Sequence, residues 1–115
     1  MKKFVVIYRV PVEVAQKWRK ETLPEEMKKQ EEKLGEEWGA WMEKNKKSIV
    51  DRGLPLGKNT RVTSTGAKPM TNDLNFYNVI EAESVEEAIA IHKDNPHIQI
   101  PDAFIDIMEV SNMGI

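Results

Sequence analysis

Cysteine is absent from the 115 residues, which removes disulfides, thiolate metal sites, iron–sulfur clusters and cysteine nucleophiles together. Histidine is nearly as scarce. His92 and His97 are the only two, and Pro96 breaks the chain between them, so they cannot form the i, i+4 helical pair of a zinc protease. With no third imidazole, no metal site and no cofactor are expected. An excess of either charge is also lacking. The 17 basic and 19 acidic residues leave a net charge of -2, which argues against general affinity for nucleic acid. No apolar run approaches the roughly 20 residues needed to span a bilayer, so no membrane association is expected. Met1, Lys2 and Lys3 ahead of an apolar run resemble the start of a signal peptide, but the run meets Arg9 and no cleavage site follows. An N-terminal strand and a cytoplasmic location are the expectation. What remains, 40% hydrophobic and 31% charged residues, is the composition of one ordinary globular domain over residues 1–115.

The apolar content is organised. Phe4, Val5, Val6, Ile7, Tyr8, Arg9 and Val10 form a β-branched and aromatic run that stops at Pro11 and reads as a strand. Residues 12–21 read as a short helix. Thr22, Leu23 and Pro24 start another, with Glu25 and Glu26 suited to its positive end. Leu23, Met27, Leu34, Trp38, Trp41 and Ile49 keep near-helical period up to Arg52 and Gly53, predicting one long helix over 24–52. Its charges fall four apart, as in Glu25 with Lys29 and Glu43 with Lys47, a solvated surface. Gly35 and Gly39 each cost about 1 kcal/mol against alanine in a helix, so they admit a close backbone or mark a bend. A close contact at Gly39, between Trp38 and Trp41, would make Gly39→Ala destabilising.

Beyond Gly53, residues 60–65 alternate as a strand, 66–73 are rich in turn residues, and 76–82 form a second strong strand, together predicting an antiparallel hairpin. Ser84 and Glu87 make a capping box that opens a helix carrying Val85, Ala88, Ile89 and His92 on one face. Asp94, Asn95 and Pro96 end it, and 104–110 is a closing strand. The order is βαββαβ. That is an α+β, ferredoxin-like pattern, with a four-stranded antiparallel sheet and helices on one face. Apolar residues of both parities in the first and last strands leave the other face in need of cover, which a homodimer packed sheet on sheet would supply.

Several segments in this order resemble the YCII-related family. They are residues 2–9, the Trp38 and Trp41 pair, Asp51, Gly53, Pro55, Leu56 and Gly57, then Glu81 to Ser84, and Asn95, Pro96 and His97 before the last strand. The resemblance covers nearly the whole chain. It implies a ferredoxin-like domain that dimerises through its sheets, with a cleft beside the sheet or at the dimer interface, and no single activity. Gly66, Ala67, Lys68, Pro69 and Met70 replace the Asp-Gly-Pro-Phe motif of many relatives, and Trp38 and Trp41 stand where some relatives carry a helical histidine. Of a related His-Pro-His motif, His97 keeps the second histidine and Asn95 replaces the first.

The candidate chemistry is that of a loop imidazole and a strand carboxylate. His97 lies outside any apolar stripe and titrates near neutrality; it is either a ligand or acid–base group or a backbone-bonded loop histidine. His92, on an apolar helix face, is expected to be packed. Asp106 sits within an apolar strand and would serve as an acid or base if it faces a cleft, but not from a solvent-facing edge. Asp51 either orients an imidazole or caps the turn that follows it. Tyr8 and Arg9 leave their strand on opposite faces, so one of them reaches the cleft, where Arg9 would suit a carboxylate. Trp41 either packs or offers a stacking platform, and Asn95 adjoins His97. Residues 53–58 lack the spacing and the Ser or Thr of a phosphate loop, and Ser84 is a cap instead of a nucleophile. Two function classes follow: a small-molecule-binding protein with cofactor-free acid–base activity on a small polar metabolite, or a non-catalytic dimeric interaction module. A closed polar pocket would favour the first and a packed interior the second.

Overall fold

The computed structural model describes residues 1–110; the part of the 1–115 domain beyond them lies outside the described residues. Strand β1 (Lys2–Arg9) is followed by helices α1 (Val12–Glu21) and α2 (Pro24–Lys44) and by β2 (Ile49–Asp51). Then come β3 (Asn59–Thr63), β4 (Gly66–Met70), β5 (Leu74–Ala82), α3 (Val85–His92), a 3-10 turn (Pro96–Gln99) and β6 (Phe104–Glu109). Strands β2, β5, β1 and β6 form, in that order, an antiparallel sheet, and β3 pairs with β4 separately. The protein is therefore a mixed α+β chain with a four-stranded antiparallel sheet. Among the described residues no helix is long and apolar enough to cross a membrane.

Strand periodicity builds one dry face. Phe4, Val6 and Tyr8 of β1 meet Ile80 and Ala82 of β5 and Ala88 of α3, with Trp38, Ile105 and Ile107 packed around them. Each fully buried large apolar side chain here contributes about 1.5–3 kcal/mol. Ser84 caps α3 as its motif predicts, accepting a 3.2 Å hydrogen bond from the Glu87 N–H.

Three expectations are corrected. The long helix ends at Lys44, and Ile49 belongs to a strand, not to the helical stripe. Its helical spacing from Trp41 is coincidental. The β-branched pair Ile49–Val50 extends, and the Glu81 N–H donates to the Ser48 carbonyl at 2.7 Å as the edge strand begins. The predicted hairpin between 60–65 and 76–82 does not form either. Residues 66–70, read as turn, fold back on β3 in register from Thr63↔Gly66 to Asn59↔Met70, and Pro69 is tolerated because this two-stranded ribbon is all edge. The vacated partner of β5 is β2. Finally, a Cβ on Gly39 would meet nothing within 4 Å, so no close backbone approach requires glycine there. Gly53 does require it: its φ is 72° and a Cβ would lie 1.5 Å from the Tyr77 carbonyl oxygen.

Candidate functional site

Alternation along β1 sends Tyr8 to the helix-covered face, and its ring becomes the hub of an aromatic cluster. Trp38 lies edge-on at 5.0 Å, His97 at 5.4 Å and Phe76 at 5.7 Å between centroids. Trp41 of α2 is 5.2 Å from the His92 ring and its indole N–H donates to the Ile91 carbonyl at 3.1 Å, which ties α2 to α3. Lys44 and Asp94 add an ion pair across the same junction, and the lysine holds the Asp94 carboxyl below its ordinary range.

The last residue of α3, His92, sits 3% exposed with its ring against Tyr8. Its Nδ1 is 2.7 Å from the Ala88 carbonyl oxygen, which only accepts, so Nδ1 carries the proton. Nε2 is then the acceptor for the Tyr8 hydroxyl at 3.1 Å. Burial lowers the His92 pKa, opposed by the Ala88 carbonyl and the Asp94 charge, and keeps this ring neutral. Burial likewise pushes the Tyr8 phenol up; the Asn78 and Asn95 amides face it and oppose the shift. Neither amide makes a bond of good geometry with it. Both side-chain atoms of Asn78, which is 0% exposed, and Nδ2 of Asn95 are buried without a partner among the described residues. Each such group costs about 1–3 kcal/mol when left unpaired.

The other site residues read from the sequence separate into three places. Asn95 and His97 lie beside Tyr8. Asn95 Oδ1 caps the 3-10 turn by accepting from the His97 N–H at 2.9 Å. His97 Nε2 is 2.8 Å from the Arg9 carbonyl, so this ring nitrogen carries a proton and pins the turn to the end of β1. Burial lowers the His97 pKa, against the pull of the Arg9 and Phe104 carbonyls. Asp106 is on the opposite face. Its strand neighbours Ile105 and Ile107 pack on the core, so Asp106 points the other way, where its carboxylate is 2.9 Å from Arg9 Nε. The Arg9 guanidinium also meets Asp73 at 2.9 Å. His97 and Asp106 are thus not brought together: one meets the main chain of Arg9, the other its side chain. Asp51 is exposed and accepts from the Gly53 N–H at 2.9 Å, the turn-capping arrangement.

Sequence reasoning passed over Asn78. The signal was available, since an amide among the apolar core-facing positions Leu74, Phe76, Ile80 and Ala82 has to find a partner. The Tyr8–His92 pairing had no signal in spacing, because 84 residues separate the two.

No family model matches the chain, and no curated protein does. Among solved structures, 5-chloro-2-hydroxyhydroquinone dehydrochlorinase from Burkholderia phenoliruptrix AC1100, in complex with 2,5-dihydroxybenzoquinone, is 15% identical to this chain. The match covers 92% of this chain and 91% of that one, with a TM-score of 0.49.

Proposed function

We propose that this chain is a YCII-related protein that binds a small polar metabolite between its sheet and its helices, using the Tyr8, Asn78 and Asn95 polar groups. The observation that carries the reading is the pair of unpartnered atoms on the Asn78 amide, one donor and one acceptor, facing a buried hydroxyl. Interiors seldom leave such groups unpaired, and a ligand carbonyl or hydroxyl would satisfy them. Tyr8 and His92 form a neutral hydrogen-bonded pair, because burial disfavours both the phenolate and the imidazolium; the phenol donates to Nε2 and keeps its oxygen free to accept a hydrogen bond from a ligand. His97 acts through position, holding the 3-10 turn and Asn95 over the site; Trp41 does the same for α3. Arg9 and Asp106 belong to the other sheet face, and Asp51 to its turn.

That other face supports a second part of the reading, a homodimer packed sheet on sheet. Val5, Ile7, Tyr77 and Val79 are only half-buried there, and Phe104 and Met108 are exposed at 41% and 45%. A second copy would cover this apolar area with the same surface. A dimer without any interior ligand would be the interaction module instead.

The test is a thermal-shift screen of small metabolites on the wild type and on Asn78→Leu, a near-isosteric change that removes the unpaired amide. A metabolite that stabilises the wild type and not the variant is the expected result. A stabiliser acting equally on both, or none at all together with a variant more stable than the wild type, would reject the binding site and leave the dimeric module.

A further inference from the structure

A recessed surface lies outside the Tyr8 cluster and shares no side chain with it. It is a groove of about 250 Å³ between α1 and the two segments flanking the β3–β4 ribbon. One wall is a single helix face, since Val12, Ala15, Gln16 and Arg19 are spaced by three, four and seven residues. Leu56, Lys58 and Asn59 line it from the segment before and at the start of β3, and Val10, Leu74 and Asn75 complete the lining.

This groove is pre-formed by main-chain bonds. The Leu56 N–H donates to the Asn75 carbonyl at 2.8 Å and the Val10 N–H to the Asp73 carbonyl at 3.0 Å. Asn72 turns the chain into β5 by accepting from the Leu74 N–H at 2.9 Å. Its charge is one-sided. Arg19 and Lys58 line it, no Asp or Glu does, and neither cation forms an ion pair among the described residues. In a chain with more acidic than basic residues this local exclusion of carboxylates sets the groove apart. Another depression, of about 220 Å³ at the end of α2, is lined by Lys46 and Arg52 but does admit a carboxylate: Glu43 lines it and pairs with Lys46. Neutral amides of Gln16, Asn59 and Asn75 add hydrogen-bonding capacity next to the cations, and Val10, Leu56 and Leu74 add an apolar bed.

We infer that this groove binds a small organic anion, its carboxylate between Arg19 and Lys58 and its apolar body on Val10, Leu56 and Leu74. Two charge-assisted contacts on a bed of apolar surface distinguish such a ligand both from a neutral amide of the same length and from a bare anion.

The experiment is a ¹H–¹⁵N NMR titration of the full chain with hexanoate, hexanamide and inorganic phosphate at constant ionic strength. Hexanoate is expected to give saturable shifts at the Arg19 side chain and at the Gln16, Asn59 and Asn75 amides, with hexanamide and phosphate at least about tenfold weaker. Arg19→Gln with Lys58→Gln, both on the surface, should keep the spectrum of the folded protein and lose at least about tenfold in hexanoate affinity. Hexanamide or phosphate binding as tightly as hexanoate, an unchanged affinity in the double variant, or shifts that never saturate would each overturn the inference. Asn78→Leu separates it from the interior site, because hexanoate binding should survive that substitution.

Discussion

Phe4, Val6 and Tyr8 are 1%, 0% and 0% exposed, whereas Val5, Ile7 and Arg9, their neighbours on the same strand, are only half-buried. The two sets differ by one residue of register, and each carries an aliphatic residue, Val6 or Ile7, at its centre. What separates them is cover. The first set faces α2, α3 and the 3-10 turn of its own chain; the second is left more open among the described residues. The closed face can therefore hold polar groups in fixed pairings such as Tyr8 with His92, because water is excluded. The open face keeps its charged group, Arg9, in ion pairs with side chains that are 30% and 45% exposed, where such pairs contribute at most about 1 kcal/mol each.

Aspartate placed at adjacent positions breaks this comparison most directly. Val6→Asp buries an unpaired carboxylate between Asn78 and Ile107 and should cost about 4 kcal/mol or more, a large fraction of the stability of a domain this size. Val5→Asp, between Val79 and Met108 on the open face, should cost the isolated chain about 1 kcal/mol or less. It should instead weaken self-association about a hundredfold. Urea melts and sedimentation at micromolar concentration read the two effects. If Val5→Asp unfolds the chain as Val6→Asp does, the faces are not different; if the wild type sediments as a monomer, a second copy does not cover the open one.

The faces should also differ toward pH. Both histidines belong to the closed face, and burial holds each pKa below the ordinary value of 6.5. Above that value neither state binds the protons and the stability is complete. As pH falls through 6.5 the unfolded chain takes up protons that the native chain refuses, so stability declines until the native pKa values are reached. Urea melts between about pH 8 and pH 5, above the carboxylate range, isolate this contribution. Stability that does not fall on acidification would show that the imidazoles are as accessible to protons folded as unfolded.

How much of this was legible in the sequence follows the range of the interactions. Ser84 and Glu87 specify a cap over three residues, and the strand character of residues 4–10 and 76–82 rests on local pattern, so both were readable. The fate of Ile49 was not. A β-branched residue eight positions after Trp41 satisfies a helical period and an edge strand equally, and pairing with Ile80 decided it. The ribbon of β3 and β4 was hidden in the same way by Pro69, which reads as a turn residue unless the strand has no outer partner. At the candidate site, parity placed Tyr8 and Arg9 on opposite faces, but which face the helices cover is a tertiary matter. So is the choice between the histidines: only the folded chain places His92 against a hydroxyl and His97 against a carbonyl.

The smallest expected effect lies on α2, away from both faces. Gly39 shares a helix with Trp38 and Trp41, and sequence position suggested that it makes room for another backbone. A Cβ built there meets nothing within 4 Å, so Gly39→Ala should gain about 1 kcal/mol from helix propensity alone. Gly53→Ala is the contrasting control, because its positive φ and the Tyr77 carbonyl leave no room, and it should lose stability. The sign at Gly39 also sharpens the comparison of covered and uncovered surfaces. Denaturant melts at low and high protein concentration should show the same gain if this side of α2 stays in solvent. A gain at low concentration that turns into a loss at high concentration would mean that a second copy packs its backbone against Gly39, and that the surface between protomers extends beyond the open face of the sheet.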